Sequence, residues 1–265
     1  MKGITRDCLM EFVDRKIVWA FVAVLIFAVL VVFISSNIEA SFHMESTGDM
    51  EMGDLNDALG NPILKGFSIL ISVMIFLSVM ASAGHIPKML ERGRAEFYLS
   101  KPLSRSSLLI SKLVSIWAVY GGTILIGGLL VHVVLWLVHG VFDSSIISLQ
   151  LLSLVTLFIW LTITCFFGLL SGSAGIAIAT AFLLWVAEEI LSYREMFKEL
   201  LQSRIADILI DSFYYVLPKT SAASDVFVAL ASNKIVRDWT PVWTTLLFAL
   251  VMLLGSVWLV KRRDF

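Results

Sequence analysis

The chain has 265 residues, of which 58% are hydrophobic and 15% are charged. Soluble domains are about 45–50% apolar and about 25% charged, so the composition excludes an ordinary soluble protein and predicts an all-α polytopic membrane protein. The 20 Lys and Arg residues nearly balance the 21 Asp and Glu residues, and no basic surface for nucleic acid is indicated. Two cysteines, Cys8 and Cys165, indicate neither a disulfide scaffold nor a thiolate metal site.

The first part of the chain predicts a helix on the membrane surface followed by a span. Residues 1–16 mix charges of both signs with apolar residues at helical spacing, which is typical of an interfacial amphipathic helix. Residues 17–34 form a continuous apolar run long enough to cross a hydrocarbon core of about 30 Å. A cleaved signal peptide fits less well, because acids lie in its charged region and no clear cleavage site follows.

The next segment, residues 35–61, is acidic and contains no Lys or Arg, as expected of an external loop. Residues 63–83 then form the second predicted span. The loop also contains a group of soft ligands, His43, Met44, Met50 and Met52. Thioether and imidazole groups suit copper, but their spacing follows no fixed ligand pattern, so a solvated acidic loop is the favoured interpretation and no metal site is predicted.

Residues 85–107 are predicted to lie in the cytoplasm, because basic residues outnumber acidic ones there and apolar runs flank the segment on both sides. Apolar residues interleave with the charges around Met89 to Leu99, and Pro102 then prevents the helix from continuing. The pattern predicts a short, rigid amphipathic helix joined directly to the second and third spans, suited to docking a partner.

The remaining spans are predicted at residues 108–138, 149–170, about 174–186 and 241–260. A tight turn at 171–173 connects the fourth span to the fifth, and small residues there allow the two helices to approach closely. Residues 187–240 form a long external segment with short helices, and Lys261, Arg262 and Arg263 end the last span inside. The layout is therefore one domain, 1–265, with six spans and both termini cytoplasmic.

The 85–107 loop resembles the first cytoplasmic loop of permease subunits in the ABC-2 family of ATP-binding-cassette transporters. That family's loop typically has a Glu, then Arg-Gly-Thr, an acidic-aliphatic run, Ser-Lys-Pro, a Ser-Arg pair and a Gly-Lys entering the next span. The residues that fill the pattern in order are Glu91, Arg92, Gly93, Glu96, Leu99, Ser100, Lys101, Pro102, Ser104, Arg105 and Lys112. Arg94, Tyr98 and Ser111 depart from it.

The resemblance implies an ABC-2 type exporter fold in a prokaryotic plasma (inner) membrane. It also implies a separate ATPase subunit and a second permease copy, expected as a homodimer, and it gives this chain no enzymatic activity and no bound cofactor. No phosphate-binding glycine loop occurs in the sequence, so ATP and Mg²⁺ would be handled by the partner. The residues expected to dock the ATPase are Glu91, Arg92, Gly93, Glu96, Lys101, Pro102 and Arg105.

Three polar residues in or beside the spans are further candidates. Glu188, Glu189 and His132 are expected either to cap helices and line a pore, or to gate the pathway and contact substrate. A Glu-Glu pair followed by Arg is also typical of one class of intramembrane protease, but Arg194 is one residue too far along for that motif. Two alternatives therefore remain open: a transporter or scaffold that needs no ATPase, and an intramembrane hydrolase.

Overall fold

The computed structural model describes residues 9–10, 12–13, 19, 21–24, 26–27, 30, 52–89, 104–139, 144–201, 203–231, 235–236 and 238–262. Within these ranges all regular structure is helical. The helices are α1 (Met52–Ser82), α2 (His85–Met89), α3 (Arg105–His139), α4 (Ser144–Ser171), α5 (Ala174–Ser192), α6 (Arg194–Leu201), α7 (Arg204–Val216), α8 (Thr220–Ala231) and α9 (Thr240–Arg262). The prediction of an all-α chain is confirmed for this part of the molecule.

Five helical segments are long and apolar enough to cross a membrane. They are Gly66–Met89, Arg105–Val134, Ser145–Ser171, Ala174–Ser192 and Thr240–Arg262, and they correspond to predicted spans two to six. The predicted first span, 17–34, and the predicted interfacial helix, 1–16, lie mostly outside the described residues. The count of six therefore stays a prediction.

Several helix ends differ from the predicted boundaries, and one is the start of α4 at Ser144, where the span was predicted from residue 149. Helix α1 begins at Met52, inside the predicted external loop, and α5 continues to Ser192 through the glutamates that were expected to end it. Hydropathy marks the part of a helix that suits lipid, whereas the backbone hydrogen bonds of a helix continue into the interface at no cost. The range 187–240 therefore begins inside a span, and its first six residues are not a loop.

Helix α4 is the centre of the bundle. It packs against α1, α3, α5, α8 and α9, and the side chains of Leu157, Ile163 and Leu169 along it are almost completely buried. Several of its hydroxyl groups, including those of Ser153, Thr162 and Thr164, donate to backbone carbonyls of the same helix; Thr164 Oγ1, for example, donates to the carbonyl of Trp160 at 2.8 Å. Because these polar groups bond within α4, they can be buried without partners on other helices.

The predicted turn between the fourth and fifth spans is confirmed at Gly172, which has a φ of 68°. This left-handed conformation favours glycine, and a glycine in it commonly follows the last residue of a helix, as Gly172 does after α4. Ser173 then adopts an extended conformation and α5 begins at the next residue. One turn earlier, a Cβ at Gly168 would lie 3.4 Å from Pro87 of α2, so the absence of a side chain allows close packing of α2 on α4.

Helix α3 is joined to α4 by a buried amide. Gln150 Nε2 of α4 donates to the carbonyls of Ile124 at 2.8 Å and Leu125 at 2.6 Å. Its side chain lies where a Cβ of Gly128 would be, so the absence of a side chain at Gly128 allows α4 to pack closely on α3. An amide in the apolar core is tolerated here because the neighbouring helix supplies acceptors.

The polar segment after α5 folds into α6, α7 and α8. Helices α6 and α7 are amphipathic and leave apolar side chains exposed, including Leu200, Ile205 and Phe213. Lys198 Nζ of α6 lies 2.7 Å from Asp211 Oδ1 of α7 and joins the two helices. Exposed apolar faces on short amphipathic helices are typical of elements at a membrane interface, as the sequence predicted for this segment.

Candidate functional site

A cavity of about 540 Å³ lies between α1, α4, α5 and α8. Its size falls within the range of about 300–1,000 Å³ that holds drug-sized ligands. Apolar side chains form most of the wall, and Ile75 of α1, Trp160 of α4 and Val228 of α8 are among them. Four helices build this concave site together.

Aromatic rings form one side of this cavity. The ring centroid of Phe76 in α1 lies 5.6 Å from that of Trp185 and 6.3 Å from that of Phe182, both in α5. The rings are tilted rather than stacked, so edges and faces both contribute to the surface. Phe182 and Trp185 are exposed within this single chain, which leaves them accessible to a bound molecule or to lipid.

Polar oxygen atoms line the part of the cavity where α5 and α8 meet. Glu189, Thr220, Ser221, Ser224 and Asp225 line the cavity there. The surrounding protein partly desolvates Asp225 and so raises the pKa of its carboxyl above the ordinary value. Every side chain in this group ends in a hydroxyl or a carboxyl, and no Lys, Arg or His is among the described residues that line the cavity.

Glu188, next to this polar part of the cavity, fastens α8 to α5. Its side chain is only 6% exposed. Thr220 Oγ1 donates to Glu188 Oε2 at 2.8 Å, and the backbone N–H of Ser221 donates to Glu188 Oε1. The first N–H groups of a helix have no intrahelical acceptor, so a glutamate from one helix provides the N-terminal cap of another.

Lys219 directly precedes α8 and joins the start of this helix to α9. Its N–H donates to Thr245 Oγ1 of α9 at 2.9 Å, and its Nζ lies 4.5 Å from the ring centroid of Tyr214. Arg194 lies over the same ring at 3.7 Å. Burial, together with the nearby Arg194 charge, lowers the pKa of Lys219. Both cations therefore face Tyr214 and not the cavity.

The sequence-predicted site residues fall in different places. Glu189 lines the cavity, and Glu188 is a buried structural cap of α8 rather than a group at the end of its own helix. His132 is buried in α3 and is not among the cavity-lining residues. Its role as a gate or substrate contact stays a prediction.

The glutamate pair is not arranged as the protease motif would require. Arg194 is the first residue of α6, where its Nε lies 3.1 Å from Glu195 Oε1 and its guanidinium stacks on Tyr214. Glu188, in turn, accepts hydrogen bonds from α8. The two groups therefore have separate partners, and the geometry gives the hydrolase alternative no support.

Most of the expected docking residues lie outside the described part of the chain. They are Glu91, Arg92, Gly93, Glu96, Lys101 and Pro102. Arg105 is described and is the first residue of α3. Ser104 precedes it and its Oγ accepts from the N–H of Ser107 at 3.2 Å, so Ser104 caps the start of α3.

The external Met and His group is also largely outside the described residues, since His43, Met44 and Met50 are not described and only the backbone of Met52 is. Elsewhere in the described ranges, no three His, Cys, Asp or Glu residues come together as a metal site would. Copper binding by the external loop remains an untested alternative.

Sequence reasoning missed α8 and therefore missed Ser224 and Asp225 as cavity residues. Helix α8 is short, rich in Ala and Ser, and lies in a stretch that reads as a polar loop. A usable signal was present, because Pro218 ends the preceding element and Thr220 and Ser221 follow it directly. The contact with Glu188 joins residues more than 30 positions apart, and nothing local in the sequence marks it.

Comparison with known proteins agrees with this architecture. Residues 9–265 match the family described as ABC-2 family transporter protein. No curated protein matches the chain significantly. Because the family match covers nearly the whole chain, and the described part contains five helices suited to a bilayer, this multi-pass membrane protein belongs to the ABC-2 transporter family.

Proposed function

We propose that the chain is the permease subunit of an ATP-driven transporter that exports its substrate. A separate ATPase subunit docks on residues 85–107 and hydrolyses ATP with Mg²⁺. One chain offers one such loop, so the working complex contains two permease copies and two ATPase subunits in a prokaryotic inner membrane, with the chain termini in the cytoplasm. The observation that carries the proposal is the family match over residues 9–265.

The contacts around the docking loop support a mechanical role for it. Helix α2 forms the first five residues of the predicted loop, and four of them are buried in the bundle, so the exposed part of the loop begins later than predicted. His85 Nε2 lies 3.3 Å from the Tyr120 hydroxyl of α3. Pro87 packs beside Gly168 near the end of α4. A force applied to the loop therefore reaches α1, α3 and α4 through packed side chains, which is what coupling to an ATPase requires.

The experiment is co-purification of the chain with a candidate ATP-binding-cassette ATPase from the same organism, followed by ATP hydrolysis in reconstituted vesicles. Arg92→Glu is expected to abolish both co-purification and coupled hydrolysis, because charge reversal would oppose docking. Arg204→Glu, the same change at an exposed position on the predicted external side, is the matched control and is expected to retain both.

Two results would contradict the proposal. One is an Arg92→Glu variant that assembles and hydrolyses ATP like the unchanged chain. The other is transport by the purified chain alone, which would favour the alternative of an ATPase-independent transporter. A cysteine at Ser100 reports the orientation independently, since the proposal requires labelling from the cytoplasmic side only.

A further inference from the structure

The cavity between α1, α4, α5 and α8 has two chemically different kinds of lining. Aromatic rings of Phe76, Phe182 and Trp185 form an apolar surface, and the carboxyl groups of Glu189 and Asp225 also line the cavity. A molecule that contacts both must have a bulky apolar body and a polar group. This shape requirement alone does not fix the charge of that group.

The charges around the cavity indicate that the polar group of the ligand is positive. Glu189 and Asp225 both line the cavity, and none of the ion pairs in the described part of the chain includes either of them. The described lining contains no basic side chain that could offset them. A cation entering the cavity would therefore be attracted by two carboxyl groups, and the partial burial of Asp225 makes its attraction stronger than it would be in water. The nearby ring faces add a favourable cation–π contribution.

An anion is the competing occupant, because the N-terminus of α8 borders the cavity and helix N-termini attract negative groups. That position is already taken, since Glu188 accepts from both Thr220 and Ser221. Lys219, the nearest cation, donates from its Nζ to Thr244 at 3.2 Å and faces Tyr214. Both features that could hold an anion are thus occupied by partners within the chain.

We propose that this cavity binds an amphipathic monocation, with its aromatic or apolar body against Phe76, Phe182 and Trp185 and its charged end near Glu189 and Asp225. The inference rests on the proposed function in that it names a substrate class for the same permease. Binding itself requires only this chain, so the two proposals are separable by experiment.

The test measures binding of tetraphenylphosphonium to the purified full chain in lipid nanodiscs, with binding to empty nanodiscs subtracted. Tetraphenylborate has the same shape and the opposite charge, and it serves as the charge control. We expect saturable binding of the phosphonium and binding of the borate that is at least about tenfold weaker. Equal binding of the two ions would overturn the proposal.

Carboxyl variants locate the site. Glu189→Gln and Asp225→Asn are each expected to weaken phosphonium binding by about fivefold, since each removes one of two attracting charges. Glu199→Gln makes the same chemical change at an exposed position on α6 and is expected to leave binding unchanged. Binding that persists unchanged in the doubly substituted Glu189→Gln, Asp225→Asn chain would place the cation elsewhere and refute the assignment.

A filling variant covers the case in which the carboxyl variants do not fold. Ser72 lines the cavity, is exposed, and donates to the carbonyl of Ser68 within its own helix at 3.0 Å. Ser72→Phe is expected to abolish phosphonium binding by occupying the space. Ser212 is likewise exposed and bonds within its own helix, and Ser212→Phe is expected to retain binding.

Other occupants give different results, and each would overturn the proposal. A co-purified phospholipid that the phosphonium does not displace would assign the cavity to lipid. Cross-linking that joins two chains through Ser72 positions and excludes the phosphonium would assign it to a second copy. Normal phosphonium binding in a chain that assembles with no ATPase would support this inference and contradict the proposed function. Absence of phosphonium binding in a fully coupled complex would contradict this inference and support the proposed function.

Discussion

Replacing Glu188 with Ala is expected to detach the first turn of α8 from α5. The substitution removes the acceptor of the Thr220 hydroxyl and of the Ser221 N–H at a point where the side chains of Glu188 and Thr220 are buried. The loss of a helix cap costs about 1 kcal/mol, and buried donors without acceptors cost about 1–3 kcal/mol. We therefore expect the anchoring of α8 to weaken by about 2–4 kcal/mol.

Amide hydrogen exchange of α8 in the membrane-embedded chain measures this anchoring. A change of 2–4 kcal/mol corresponds to about 30- to 700-fold faster exchange if the helix exchanges by local opening. Glu188→Gln is the matched variant, because its amide can still accept from Ser221 and donate to the Thr220 hydroxyl, and it is expected to change exchange only slightly. Glu189→Ala, at an exposed position, is the neighbouring control.

The reasoning fails if Glu188→Ala leaves α8 exchange unchanged, or if Glu188→Gln accelerates exchange as much as Glu188→Ala does. Thr220→Val adds a second check, since it removes one of the two donors and should weaken anchoring by about 1 kcal/mol. In the Glu188→Ala background the same substitution should cost almost nothing, because the bond is already absent.

Two further predictions follow from the contacts between helices. Gly128→Ala places a methyl group where the Gln150 side chain lies, so thermal unfolding should show a loss of stability of about 1–2 kcal/mol. Gly122 has open space where its Cβ would be. Gly122→Ala should therefore be neutral or stabilising by about 0.5–1 kcal/mol. The hydrogen bond to Asp211 raises the pKa of Lys198, so this pair stabilises the contact between α6 and α7 below pH 10.5 and the contribution is lost as pH rises further. Distances between spin labels on α6 and α7 should therefore broaden at alkaline pH, and Asp211→Asn should remove that pH dependence.

Both of these predictions have a clear opposite result. Equal stability of the Gly128→Ala and Gly122→Ala chains would mean that the Gln150 side chain can move without losing its bonds to α3. A label distance that broadens with pH to the same extent in the Asp211→Asn chain would assign the change to groups other than Lys198.

The spans could be predicted because each is a continuous run of apolar residues in the sequence. Predicted spans two to six coincide with apolar helices in the described part of the chain, and the turn at Gly172 followed from small residues between two apolar runs. Helix ends were predicted less well, as at Met52 and Ser192, because hydropathy reports where lipid ends and not where backbone hydrogen bonding ends.

The candidate site was predicted only in part, for a physical reason. Glu189 was identified because an acid beside a span is unusual. The cavity also needs α8, whose position depends on the contact of Glu188 with Thr220 and of Lys219 with Thr245. These bonds connect segments about 25–35 residues apart. Because they form only when the helices pack, no local sequence pattern predicts them.

The amide of Gln150 also bears on how the chain is made. Its two acceptors, the carbonyls of Ile124 and Leu125, belong to the preceding helix. An isolated α4 in lipid would leave that amide without partners at a cost of up to several kcal/mol. We therefore expect α3 and α4 to leave the insertion machinery as a paired hairpin, before α5 to α9 are synthesised, so that a ribosome stalled after α4 should already show the two helices cross-linked.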